Sequence, residues 1–210
     1  MISPILRQLD LPNLFTLTGL FSSLISAIFA IQGNFNAAAI CIIYAGFTDM
    51  LDGVVARKMQ NRSELQSQVG KQLDSIVDVC SFGFEPAIFG YCFGLQDWLS
   101  IAILIFYVGV NALRLAYFNS TGLISEAKEE YFVGLPVTYA GLFVPLSFFA
   151  SFFLSDSTTK LVLSGTYLAL AIAMIANFKM IKIRGIWYIF CSVGAIAMVS
   201  IYSWALIADR

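Results

Sequence analysis

Four aspartates occupy two stretches of the chain in which charge is expensive. Asp49 and Asp52 stand at i, i+3 near the end of one apolar run, and Asp74 and Asp78 at i, i+4 near the start of the next. Each spacing puts its pair on one face of a helix. The twelve residues between Arg57 and Gly70 let the two helices return antiparallel, so that the faces meet. At about 2.5 to 3.5 kcal/mol for a charge at the centre of a membrane helix, four unpaired carboxylates would cost roughly 10 to 14 kcal/mol. Nearby cations are too few, since Arg57 and Lys71 alone lie within a turn or so. Carboxylate oxygens suit hard divalent ions such as Mg²⁺ or Mn²⁺, and two such ions would relieve all four acids. The plainer alternative is a set of ion pairs and hydrogen bonds that only order the helix ends. Gly46, Gly53, Ala56 and Gly70 favour a ligand, because small residues on the same turns let a bulky group approach the backbone. Arg57 stands where a guanidinium can hold a diphosphate whose other oxygens bridge the metals.

The elements that position these residues follow from composition. The chain has 210 residues, 59% apolar, 15% aromatic and 12% charged, against about a quarter charged in an ordinary soluble domain. Its mean hydropathy is +0.82. These values predict an all-α polytopic membrane protein, one domain over 1–210, with six to seven transmembrane helices. Apolar runs fall at about 13–31, 36–56, 70–94, 98–118, 135–154, 160–178 and 186–207. The third carries Asp74, Asp78 and Glu85, and the fifth starts near Pro136 with a break expected at Pro145. Ile2, Ile5, Leu6 and Leu9 recur at i, i+3, i+4, i+7, predicting a short amphipathic interfacial helix over 2–10. The first run is long for a signal segment, is preceded by Asp10 and lacks an A-x-A site, so it is expected to remain as a span.

With a cytoplasmic amino terminus, Arg7, Arg57, Lys58, Arg62, Lys71, Arg114, Lys128, Lys179, Lys182 and Arg184 fall inside, and Lys160 and Arg210 outside. That asymmetry predicts an integral protein of a bacterial inner membrane with the acids facing the cytoplasm. A net charge of −1 leaves no basic field for nucleic acid. The absence of histidine removes Ser-His and Cys-His catalysis, His-ligated zinc and His-held haem. Cys41, Cys80, Cys92 and Cys191 have no C-x-x-C spacing and read as small hydrophobes. Gly90-x-x-x-Gly94 fits either close packing within the chain or a homodimer contact. Glu126, Lys128, Glu129 and Glu130 read as a solvated loop or, more sharply, a lid. Intramembrane acids also invite a cation transporter, but these cluster at one edge of two adjacent spans, and the outer halves supply few polar groups to continue a path.

Asp49, Asp52, Gly53, Ala56, Arg57, Gly70, Asp74 and Asp78 together resemble the D-x-x-D-G-x-x-A-R…G-x-x-x-D-x-x-x-D signature of the CDP-alcohol phosphotransferase family. The resemblance implies that the four aspartates serve a binuclear Mg²⁺ or Mn²⁺ site. It also implies that Asp52, Gly53, Ala56, Arg57 and Gly70 seat the CDP of the donor, and that Asp78 takes the proton of the attacking alcohol. Residues 12–16, 72–83, 114–119 and 131–136 are similar to the phosphatidylserine synthase branch, which implies CDP-diacylglycerol and L-serine as substrates, within membrane lipid. Two positions depart from that branch: Glu85 stands before the proline of the S-F-G-x-x-P segment, and Tyr117 replaces an arginine. A serine acceptor would offer its carboxylate to Arg114 and its ammonium to Glu85. Choline or ethanolamine would also suit Glu85 beside Phe82, Phe84 and Tyr91. Inositol or glycerol 3-phosphate fits less well, a phosphate needing more cations than the segment offers.

Overall fold

Long helices begin where a short polar side chain takes up free backbone N–H groups. Asp10 accepts from the Asn13 N–H at the start of α1 (Leu11–Ile31), and Asn34 from the Ala37 N–H at the start of α2 (Phe35–Lys58). Ser63 and Gln66 form a reciprocal capping box on α3 (Glu64–Val79). Asp97 caps α5 (Trp98–Thr121) and Ser155 caps α7 (Asp156–Ile175). The remaining helices are α4 (Glu85–Phe93), α6 (Ala140–Phe148) and α8 (Ile186–Ala208). This computed structural model describes residues 3–59, 62–122, 124–126, 129–181 and 186–208, with backbone alone at 57, 124–126, 129, 130, 181 and 186–189. Lys128, Lys182, Arg184 and Arg210, and the side chains of Arg57, Glu126, Glu129 and Glu130, therefore lie outside the described residues.

Among the described residues six helices are long and apolar enough to cross a membrane: 11–31, 35–56, 64–93, 98–121, 156–175 and 190–208. The protein is an all-α polytopic integral membrane protein. The fifth of the seven apolar runs, expected at 135–154, is a shorter apolar segment, 137–152, in which α6 carries Pro145 and is flanked by 3-10 turns at Val137–Tyr139 and Phe149–Phe152. Proline removes a backbone donor and strains the preceding turn, which keeps this segment short.

The third span passes through a proline without ending. Between α3 and α4 a π turn, Cys80–Phe84, is closed by the Glu85 N–H donating to the Cys80 carbonyl. Pro86 has no N–H for the Phe82 carbonyl four residues earlier. That oxygen accepts instead from Tyr107 Oη and, at 2.9 Å, from Asn111 Nδ2 of α5. The Pro86 carbonyl accepts from Tyr167 Oη of α7 at 2.5 Å. Neighbouring helices thus supply the donors that lipid cannot.

Two local expectations change. Instead of an amphipathic helix over 2–10, the described residues contain one 3-10 turn, Leu6–Gln8, because Asp10 caps α1 and Pro12 fits its first turn, drawing the helix start to Leu11. Ile5, Leu6 and Leu9 remain exposed, as an interfacial segment requires. The segment expected as a loop contains β1 (Ile124–Glu126) and β2 (Glu129–Val133), and β2 pairs with β3 (Lys179–Ile181) to make a three-stranded antiparallel sheet.

The core is aromatic. Phe35, Phe89, Phe93 and Phe148 meet largely edge to face, and Tyr107 meets Tyr167 with centroids 5.2 Å apart. A Cβ at Gly90 would lie 2.8 Å from the Tyr167 ring, and Gly94 ends α4 with φ +114°. Both glycines serve packing within the chain. Gly90→Ala should therefore lower stability in detergent by about 1 to 3 kcal/mol. Gly165→Ala, where an added Cβ meets nothing within 4 Å, should not, as thermal unfolding of the two variants will show.

Candidate active site

The i, i+3 and i, i+4 spacings bring their carboxylates together between the second half of α2 and the last turns of α3. One carboxylate oxygen from each of Asp49, Asp74 and Asp78 lies within 4.8 Å of the others. Asp52 lines the same cavity but is turned toward α1, where its Oδ2 accepts from Thr16 Oγ1 at 2.7 Å. Asp78 is buried and the other three are half-buried. Among the described residues the ion pair within 4 Å is Arg62 with Asp10, so none of the four has a cationic partner. Uncompensated oxygens this close, in a low-dielectric setting, are a donor set for a hard divalent cation. The residues present fit such an ion.

The cavity measures about 410 Å³. The carboxylates and Gly53 line it together with Arg114, Phe118 and Asn119 of α5 and Phe132 of β2, and Asn119 Nδ2 donates to Ser75 Oγ of α3 at 2.7 Å, which joins the two sides. Gly46 also lines it, and a Cβ there would meet the Gly141 backbone at 3.7 Å, so α2 and α6 approach closely at this level.

Other predicted residues fall elsewhere. Ala56 and Gly70 do not line the cavity. A Cβ at Gly70 would lie 2.5 Å from Asn13 Oδ1 and 2.7 Å from Arg62 Nη2, so this glycine makes room for a clasp. In that clasp Arg62 bonds Asp10 at 2.6 Å and Asn13 at 2.8 Å, tying the start of α1 to the start of α3. Arg57 sits one turn after Gly53 on α2, its side chain outside the described residues.

Glu85 requires a correction. It is 3% exposed, does not line the cavity, and accepts from Ser26 Oγ of α1 at 2.5 Å, with Oε2 unpartnered among the described residues. In a plain α-helix a residue seven after Asp78 would share its face. The π turn between them adds about 100° of rotation and turns Glu85 onto α1. Phe84 and Tyr91 are exposed at 54% and 48%, so these two rings do not close over it. Tyr117 lies exposed on α5, away from the cavity.

Some contributors were not picked out from sequence. On one face of α1, Thr16 bonds Asp52, Gly19 faces the Thr48 hydroxyl, Ser23 bonds Ser81 at 2.7 Å and Ser26 bonds Glu85. The spacing 16, 19, 23, 26 is the heptad pattern of a packed helix face, here written in small and hydroxyl residues. That pattern was a readable signal. Phe132 lies in the stretch 131–136 already noted for its resemblance, but its place at the cavity depends on strand pairing between distant segments.

The fold and the acidic cluster now stand beside comparison with known proteins. Residues 9–176 match the profile of the CDP-alcohol phosphatidyltransferases, and the chain belongs to that family. The transferase class predicted from the eight motif positions is thereby shown, and the transporter alternative falls away. The chain is 32% identical over 177 residues to an archaetidylserine synthase of Methanothermobacter thermautotrophicus, covering 83% of this chain and 71% of that protein. It is 32% identical over 174 residues to the CDP-diacylglycerol–serine O-phosphatidyltransferase of Helicobacter pylori, covering 80% and 70%. The Bacillus subtilis enzyme of the same name is 31% identical over 141 residues, covering 66% and 75%.

Ions held by these carboxylates must stabilise the fold by linkage. Mn²⁺ at about 100 times its Kd should add about 2.7 kcal/mol of stability, read as a rise in the unfolding temperature of detergent-solubilised protein. Asp74→Asn should lose most of that rise, and an equal rise in the variant would show that the ion binds elsewhere.

Proposed function

We propose that this protein transfers a phosphatidyl group from CDP-diacylglycerol to the hydroxyl of L-serine, giving phosphatidylserine and CMP. The observation that carries the reading is a cavity lined by three convergent carboxylates and by Arg114. Arg114 is 7% exposed and forms no hydrogen bond or ion pair within 4 Å among the described residues. A buried guanidinium whose N–H groups are not bonded favours a substrate that carries an anion. Serine supplies one in its carboxylate, whereas choline and ethanolamine would leave Arg114 unpaired, which counts against them. The names of the relatives point the same way.

Divalent cations, Mg²⁺ or Mn²⁺ and two by the family resemblance, would be held by Asp49, Asp52, Asp74 and Asp78, where they would spread the charge of the donor diphosphate. Gly53 keeps the cavity wall low enough for the nucleotide, and Arg57 pairs with the diphosphate from the next turn. Ala56 and Gly70 shape the donor site indirectly, through the packing of α2 and of α3 on the Arg62 clasp. Arg114 holds the serine carboxylate, leaving the hydroxyl toward Asp78. Asp78 accepts the hydroxyl proton as the oxygen attacks the phosphorus bearing diacylglycerol. The bond from that phosphorus to the bridging oxygen breaks, and CMP leaves with the electron pair. The excess of basic residues on one side of the spans supports a cavity that faces the cytoplasm across a bacterial plasma membrane.

Purified protein with CDP-diacylglycerol and competing labelled serine, ethanolamine, choline, inositol and glycerol 3-phosphate tests the reading. CMP release should require Mg²⁺ or Mn²⁺ and serine, with phosphatidylserine as the labelled product. Preferred labelling from another alcohol would reject the acceptor. Asp78→Asn should cut turnover by about 10² to 10⁴, and turnover retained in that variant would reject the assigned base.

A further inference from the structure

Arg114 does not stand alone on its wall. Its guanidinium carbon lies 5.2 Å from the Phe118 ring centroid and 5.6 Å from that of Phe132, and the two rings are 5.5 Å apart at a 42° tilt. The rings form a floor under the cation. A guanidinium lying on aromatic faces gains attraction from them while its N–H donors stay free at the edge. Phe118 follows Arg114 by four residues on α5, so the helix itself supplies the first ring. The second comes from β2, and its placement is fixed from elsewhere. Phe132 pairs with Met180 across the sheet, the Gly134 N–H donates to the Phe178 carbonyl at 2.9 Å, and the Leu135 N–H donates to the Ala173 carbonyl at 3.0 Å. Gly134 has φ +67°, and a Cβ there would lie 2.5 Å from the Met174 carbonyl oxygen. β2 is thus stapled to the end of α7, and Phe132 is held against Arg114 independently of α5.

We infer that Phe132 is a positioning residue for acceptor choice: it holds the Arg114 guanidinium in the plane that presents its N–H edge to a carboxylate, so strand β2 selects alcohols that carry one. This rests on the reading of serine as acceptor. Phe132 need not touch the reacting atoms, and its effect should appear in acceptor binding rather than turnover.

Steady-state kinetics on the full-length enzyme in detergent test this, with serine varied at saturating CDP-diacylglycerol. Phe132→Ala should raise KM for serine about tenfold with kcat little changed. Phe132→Leu, which keeps the bulk but not the ring, should resemble Phe132→Ala, and Phe132→Tyr should restore most of the affinity. In an Arg114→Gln background Phe132→Ala should have no further effect on KM, because the guanidinium it acts through is gone. A thermal shift induced by CDP-diacylglycerol, equal in all variants, shows that each is folded with its donor site intact. Unchanged KM in Phe132→Leu, a fall confined to kcat, or additivity with Arg114→Gln overturns the inference while leaving the acceptor reading in place. Wild-type enzyme that prefers ethanolamine to serine overturns both.

Discussion

Like charges brought together in a low-dielectric setting constrain everything else in this molecule. Carboxylate oxygens within 4.8 Å of one another repel by at least about 3 kcal/mol per pair at an effective dielectric of 20, if all are ionised. Such a cluster persists only if the backbone holds it rigidly and an ion relieves it. Rigidity comes from three sides. The capping box of Ser63 and Gln66 fixes where α3 begins, and the Arg62 clasp ties that start to Asp10 and Asn13. The Thr16 hydroxyl holds Asp52 from α1. None of these groups lies among the three converging oxygens, yet each fixes a degree of freedom on which their convergence depends.

The π turn between α3 and α4 solves a second problem created by the first. The span that carries Asp74 and Asp78 must turn a polar face to the cavity and, about three turns later, an apolar face to the aromatic core around Phe89. A straight α-helix with one continuous face cannot do both. The inserted residue rotates the following helix by about 100°, and Pro86 makes the change in hydrogen bonding unavoidable by withholding an N–H. The Phe82 carbonyl so released is claimed by Tyr107 and Asn111. A local defect in one span becomes a polar tie to α5, the helix that carries Arg114.

These same features explain what could be read from the sequence. Hydropathy and the spacing of four aspartates are local properties, so the spans, the facing helices and the acidic cluster were legible. Glu85, taken from sequence as a partner for the acceptor's ammonium, does not line the cavity because a π turn separates it from Asp78, and π turns have no strong sequence signature. Gly70 was read as room for a ligand, whereas the space is taken by Asn13 and Arg62, side chains far away in sequence. The strands were hidden for a related reason. β3 has three residues and lies beyond α7, so its pairing with β2 is a long-range contact that no window of the sequence contains.

The cavity divides its labour by charge, and the division follows the order of assembly. Its acidic wall is built from α2 and α3, which are adjacent in sequence and joined by a short link, so the groups proposed to act on the donor are positioned by local structure. The cationic wall needs α5, β2 and the end of α7, elements separated by up to 60 residues, so acceptor recognition depends on packing that closes only in the complete fold. On the proposed roles the two sides could vary separately. A change in β2 or in the staple at Gly134 would alter the direction in which Arg114 presents its donors, whereas a change in the aspartates would abolish chemistry for every alcohol alike. Selectivity in such a site would belong to the side that carries no catalytic group.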